Sequence, residues 1–378
     1  MSYFDRKNPL KIFPIELLTI RPFLNYELFS VSLKVPYHIF NPSETPDVLE
    51  VLSPTEIEKL RYSPNAFFIF DYTGEGTSHK EYLNFFNTLE YSASKHNIPF
   101  HKMFFLSSNL LDEDCYKEKK INVISFNRWD YFPNARDISL EETLSNFEDK
   151  VHFLNLNRVI RYFRVLTIIK LVNSKLKPNL KISYDNLSLE LLSEIADTHY
   201  NQTGYSISKS DLVSLSQSSP SILDRSDFDV NWVNDMPVDL FKSTMMSLVG
   251  ETLERSHQGT TLFYSEKTFK PMLFNHPILI FGQPNTNKIL STLGYKTYDC
   301  YFNLDFDNVE DFRLRLESQI ANLEVLNDSL CSMNSKQKLD WFMQGKDIIL
   351  HNKLVMKQQD FNKRKSLLFL ELIKQYSL

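Results

Sequence analysis

The chain has 378 residues, 42% of them apolar and 24% charged, which is too long for one ordinary core and suited to two of moderate size. A net charge of −5 weighs against a surface that binds nucleic acid throughout, while leaving room for a local basic groove. Three scattered cysteines (Cys115, Cys300, Cys331) without C-x-x-C spacing argue against a disulfide framework.

No apolar run reaches the length of a membrane span, and the first residues, MSYFDRKNPLKIF, lack the apolar core and small-residue cleavage site of a signal peptide. The expectation is a soluble, cytoplasmic protein. Short apolar runs alternate with longer helical patterns, as in α/β layers with parallel sheets. In chain order the strands are expected at 67–71, 103–106, 122–126, 152–156, 181–184, 244–249 and 277–281. Helices are expected at 78–96, 158–175 and 307–330, and a long amphipathic stretch runs from 335 to the end. The polar, acidic stretch 134–150, with the capping pattern Ser139-x-x-Glu142, suggests a boundary between a domain of residues 1–150 and one of 151–378. The Ser-rich stretch 203–227 reads as a loop or a marginal helix.

Only eight glycines are present, with no G-x-G-x-x-G and no G-x-x-x-x-G-K-[ST]. Any phosphate must then meet helix amino termini and basic side chains. Three segments are candidates. In FFIFDYTGEGTSHKEY (67–82) an apolar strand delivers Asp71, and Glu75 follows between Gly74 and Gly76. This suits a general base, with a solvated turn as the plain alternative. In HFLNLNRVIRYFRVLTIIKL (152–171) a strand runs into a helix on which Arg158, Arg161 and Arg164 recur every third residue. They form either a diphosphate clamp or a solvated basic face. In LVGETLERSHQGTTLFYSEKTFKPMLFNHPILIFGQP (248–284) Ser265 can cap a helix whose first turn carries Glu266 and Lys267, with Lys270 one turn on. Glu266 suits ribose hydroxyls and the lysines suit phosphate; an ordinary capped helix is the alternative. The nine histidines are scattered, Asp112-Glu113-Asp114 reads as a solvated turn, and no metal or cofactor is expected. The basic runs at 117–120 and 363–365 read as solvated faces.

The last segment resembles the donor-binding motif of α1,3-fucosyltransferases. The pair FLNLNRVIRYFR and ETLERSHQGTTLFYSEKTFKPMLFNHPILIFG resembles a related group of bacteriophage and bacterial glycosyltransferases. In that group the position of Phe163 is His and that of Asn275 is Gly. The resemblance implies a GT-B arrangement, two Rossmann-like domains facing a central cleft, with the last helix crossing back to the first domain. It implies a nucleoside-diphosphate sugar as co-substrate and no metal. Arg158, Arg161 or Arg164 and Lys267 would meet the diphosphate, Glu266 the ribose, and Phe263 the nucleotide. Glu251 and Thr252 stand where fucosyltransferases have a Glu-Asn pair facing the donor sugar. The acceptor hydroxyl would lie on a hydroxylated base of phage DNA or on a glycan. A nucleotide-sugar-binding module without turnover, and another Rossmann-like transferase of phosphorylated substrates, are the alternatives. Donor identity and oligomeric state are not legible.

Overall fold

A computed structural model describes residues 27–32, 47–50, 52–64, 66–72, 79–110, 119–125, 127, 130, 138–157, 162–203, 206–219, 221–223, 237–252 and 262–358. They fall into two compact units. One takes the described residues up to 127 together with 262–263; the other takes 130–252 and 264–358. The stretch 138–150 thus belongs to the second unit, where Ser139 and Glu142 form the expected capping box: the Glu142 N–H donates to Ser139 Oγ and the Ser139 N–H to Glu142 Oε2, each at 3.0 Å.

The first unit is a sheet of four parallel strands, β1 (Glu27–Ser32), β2 (Ala66–Tyr72), β3 (Met103–Ser107) and β4 (Asn122–Ser125), side by side in chain order. Helices α1 (Pro54–Tyr62) and α2 (His79–Lys95) pack on it. The inner strands AFFIFDY and MFFLS are continuous apolar runs, the signature of strands covered on both faces. Their phenylalanines interlock. Phe70 stacks on Phe105 with centroids 5.6 Å apart, and Phe86 of α2 meets Phe105 edge-on at 5.0 Å. Much of the chain's aromatic content is therefore core. Asp71 sits in β2 opposite Ser32 of β1 and Leu106 of β3, while Glu75 lies outside the described residues.

The second unit opens with α3 (Leu140–Leu144), β5 (Val151–Asn157), α4 (Tyr162–Val172) and β6 (Leu180–Tyr184). Then come α5 (Leu189–Thr203), α6 (Lys209–Gln217), α7 (Val238–Lys242), β7 (Thr244–Gly250), α8 (Glu266–Leu273) and β8 (Ile278–Phe281). The chain continues through α9 (Thr286–Ile289), α10 (Phe312–Ser332), α11 (Ser335–Met343) and α12 (Lys346–Gln358). The Ser-rich stretch holds a true helix, α6, capped by Ser208. The amphipathic stretch from 335 is two helices, not one, among its described residues. It breaks at Gln344–Gly345, where a Cβ on Gly345 would collide with Cε2, Cζ and the hydroxyl oxygen of Tyr301 and the Tyr301 hydroxyl donates to the Phe342 carbonyl. The chain from 359 on, where a crossing helix is expected, lies outside the described residues.

All four strands of this sheet are parallel, in the order β6-β5-β7-β8. The first strand of the unit is central: the chain steps outward to β6 and then returns past β5 to β7. With right-handed crossovers, the connections after β5 and after β7 leave on opposite faces, the arrangement beyond whose carboxyl strand ends open parallel sheets generally bind ligands. The first unit, ordered β1 to β4, has no such reversal among its described strands.

Candidate functional site

The second unit's switch point is lined by the ends of β5 and β7. Asn155 and Asn157 lie on one face of β5, as residues two apart in a strand must. The Asn155 amide donates to the Leu248 carbonyl at 2.6 Å, and Asn157 donates to Asn155 Oδ1. Asn157 then presses its Oδ1 on the last residue of β7. A Cβ on Gly250 would come within 2.7 Å of that oxygen, so only glycine fits.

Glu251 follows immediately and is fully buried. Its carbonyl accepts from Arg164 Nε at 3.2 Å and Nη2 at 3.1 Å, a fork grip on one backbone oxygen. Its carboxylate reaches across to α8. Oε1 accepts the Ser265 N–H at 3.0 Å and the Thr268 hydroxyl at 2.5 Å, and Oε2 accepts the Thr252 N–H at 2.9 Å. Gly282, just past β8, packs behind it; a Cβ there would sit 3.2 Å from Glu251 Cβ. Arg315 on α10, itself buried, fixes this neighbour by donating to the Gly282 carbonyl at 2.8 Å.

The amino end of α8 is therefore pinned to the end of β7. Ser265 is its N-cap, as expected, with Oγ accepting from the Lys267 N–H at 3.4 Å and from Lys267 Nζ at 3.2 Å. Glu266 Oε1 faces two ammonium groups, Lys267 Nζ at 3.3 Å and Lys270 Nζ at 4.0 Å. Burial pushes the Glu266 carboxyl up, but the two lysines outweigh it and hold the group below its usual range. All three side chains keep some exposure, and the helix N–H groups add positive potential at this end. An anionic ligand entering here meets a helix amino terminus and two cations, while Glu266 offers a carboxylate to hydroxyl groups.

The carboxyl end of α8 is fixed as firmly. Asn275, one residue past the helix cap, has φ +59°, the left-handed conformation common after a helix end. The left-handed position before His276 thus holds the residue that best tolerates this backbone after glycine. Its side chain also donates to the Ile138 carbonyl at 2.9 Å and to Thr143 Oγ1 at 2.8 Å, and accepts from Lys353 at 3.2 Å. The adjoining His276 is buried. It donates from Nε2 to the Phe241 carbonyl at 2.8 Å and receives the Ser247 hydroxyl on Nδ1 at 2.9 Å.

The structure thus brings Arg164, Glu251, Thr252, Ser265, Glu266, Lys267 and Lys270 together where the end of β7 meets the amino end of α8. Arg164 is buried on the Glu251 carbonyl, so it belongs to no solvated basic face. Arg158 and Arg161 lie outside the described residues. Phe163 is buried edge-on against Phe312. Phe263 is buried in the first unit. Asn157, Thr268 and Arg315 were not legible as part of this region. For Asn157 a signal existed: two polar residues, alternating, at the end of an otherwise apolar strand. None of these residues lines the cavities of about 380 and 560 Å³ that lie along segment 299–306, the larger bordered by Lys288 and the smaller by α10. Among the described residues, no group of three or more His, Cys, Asp or Glu could hold a metal, and no helix is long and apolar enough to cross a membrane.

What the fold and site define is an α/β protein of two parallel-sheet units, the second with a reversal of strand order between β5 and β7. No protein-family model and no curated protein matches the chain. Among solved structures it is similar to an E. coli trehalose-6-phosphate structure bound with UDP-2-fluoro glucose (10% identity, TM-score 0.41, covering 89% of this chain and 77% of that one). It is also similar to an α1,3-fucosyltransferase (11%, 0.32, 85% and 81%) and to a trehalose-6-phosphate synthase (9%, 0.41, 89% and 76%). Likeness at this level assigns neither a ligand nor a residue.

Proposed function

We propose that this chain is a glycosyltransferase that takes a sugar from a nucleoside-diphosphate donor held by its second unit. One observation carries the reading. The turn bearing Glu266 and Lys267 stands at the sheet's switch point, where open parallel sheets bind ligands, and its sequence is the segment that resembles the donor motif. Lys267 and the α8 amino end receive the diphosphate, and Glu266 the ribose hydroxyls. Arg158 and Arg161 complete the clamp.

The transfer is inverting and needs no metal. An acceptor hydroxyl oxygen bonds to the anomeric carbon as the bond from that carbon to the phosphate oxygen breaks. The nucleoside diphosphate leaves with the electron pair, and a carboxylate takes the acceptor proton. We assign that base to Glu75, with Asp71 as second choice. Charge builds on the leaving diphosphate, so a cation fixed beforehand against it lowers the barrier. The acceptor is a glycan or a hydroxylated base in DNA. Activity on DNA falls steeply with salt, because phosphate contacts release counterions; activity on an oligosaccharide does not.

The test is Lys267→Ala. Donor turnover falls by about a hundred- to a thousandfold with the unfolding midpoint unchanged. Near-normal turnover removes Lys267 from the diphosphate site and the reading with it.

A further inference from the structure

We propose that Glu251 is a positioning residue for donor binding, acting through Ser265 and Thr268 on the first turn of α8, and that it does not touch the donor sugar. This rests on the glycosyltransferase reading and assigns Glu251 a different task from the Glu of the fucosyltransferase pair. The carboxylate is fully buried and both its oxygens are engaged by the protein. Its backbone is equally committed: Arg164 grips the carbonyl, and Asn157 leaves no room for a side chain at the preceding residue. Thr268, whose hydroxyl completes the tie, is itself fully buried and lies in the helix. The chain has thus built a rigid strut from the end of β7 to the helix turn that carries Glu266 and Lys267. A charge-assisted hydrogen bond is short and strong, so a buried carboxylate holds that turn better than a neutral amide would. Precision matters there, since a phosphate ligand displaced by even an ångström loses much of its benefit.

Two readings of Glu251 separate cleanly. A strut positions Lys267 and the helix N–H groups, so its loss weakens the nucleoside diphosphate and the sugar nucleotide by the same factor. A sugar ligand weakens only the sugar nucleotide. The probes are UDP with UDP-glucose and GDP with GDP-mannose, titrated calorimetrically into the full chain and into Glu251→Gln, Thr268→Val, Thr268→Ser and the double variant Glu251→Gln/Thr268→Val.

Expected results are as follows. Glu251→Gln and Thr268→Val each weaken the free diphosphate and its sugar conjugate alike, by about ten- to a hundredfold. Thr268→Ser, which keeps the hydroxyl, binds within about twofold of wild type. The double variant is no weaker than Glu251→Gln alone, because both act through one contact. Loss confined to the sugar nucleotide, or wild-type affinity in Thr268→Val, overturns the proposal while leaving the donor site in place. Should Glu251→Gln fail to fold, the Thr268→Val and Thr268→Ser pair still decides. A wild-type chain that binds neither nucleotide pair, nor CMP, dTDP or their sugar conjugates, overturns the glycosyltransferase reading itself.

Discussion

Gly250→Ala probes the joint on which the site depends. The added Cβ would lie 2.7 Å from Asn157 Oδ1 and 3.9 Å from Arg164 Cγ. The oxygen cannot simply swing away, because Asn157 is buried and its amide is engaged by Asn155, which in turn bonds the Leu248 carbonyl. Relief must come from moving the end of β7 or breaking the Asn157–Asn155 pair, and overpacking of this kind costs about 1–3 kcal/mol. The strain also reaches Glu251, the next residue. The expected outcome is a lower urea midpoint at unchanged m, together with weaker nucleotide binding by the full chain. Asn157→Ala in the Gly250→Ala background removes the clashing oxygen and recovers part of the lost stability, a coupling that independent sites would not show. A wild-type midpoint for Gly250→Ala, or strictly additive losses in the double variant, would refute the packing argument.

Three further outcomes follow from the same geometry. Asn275→Ala destabilises more than Asn275→Gly, by about 1 kcal/mol or more, since both lose the bonds to Ile138 and Thr143 but only Ala strains at φ +59°; denaturant titration of the pair checks it. Burial drives His276 down to about 3 from 6.5, so the unfolded chain binds more protons between these values. Stability is therefore lost as pH falls from 6.5 toward 3, and His276→Gln flattens part of that slope in unfolding midpoints measured across the range. Lys150 is lowered to about 8 by burial and then by Lys181 and Lys242, so stability rises with pH between about 8 and 10.5. Lys150→Met removes that rise in thermal unfolding curves.

The parallel strands were legible because interior strands of such sheets are unbroken apolar runs. All seven expected strands lie within about two residues of an observed one, while β1, the short and half-polar ELFSVS, is not legible. The cap at Ser265 was legible because a cap is a local pattern. The strut was not. Glu251 finds its partners 14 and 17 residues later, and Arg164 finds Glu251 at a distance of 87, contacts that no periodicity announces. An arginine at every third position reads as a charged face; only the burial of Arg164 and its grip on the Glu251 carbonyl show that it turns inward. Helix α5 is not legible because its sequence, LELLSEIADTHYNQT, fades into polar residues at its end.

The most direct test of the central claim is thermal shift and donor hydrolysis by the full chain across UDP-, GDP-, CMP- and dTDP-sugars. One nucleotide class that both raises the melting temperature and is slowly hydrolysed, with both effects lost in Lys267→Ala, is the predicted result. Stabilisation without hydrolysis would mark a binding module without turnover, and no shift with any donor would contradict a nucleotide-sugar site at the amino end of α8.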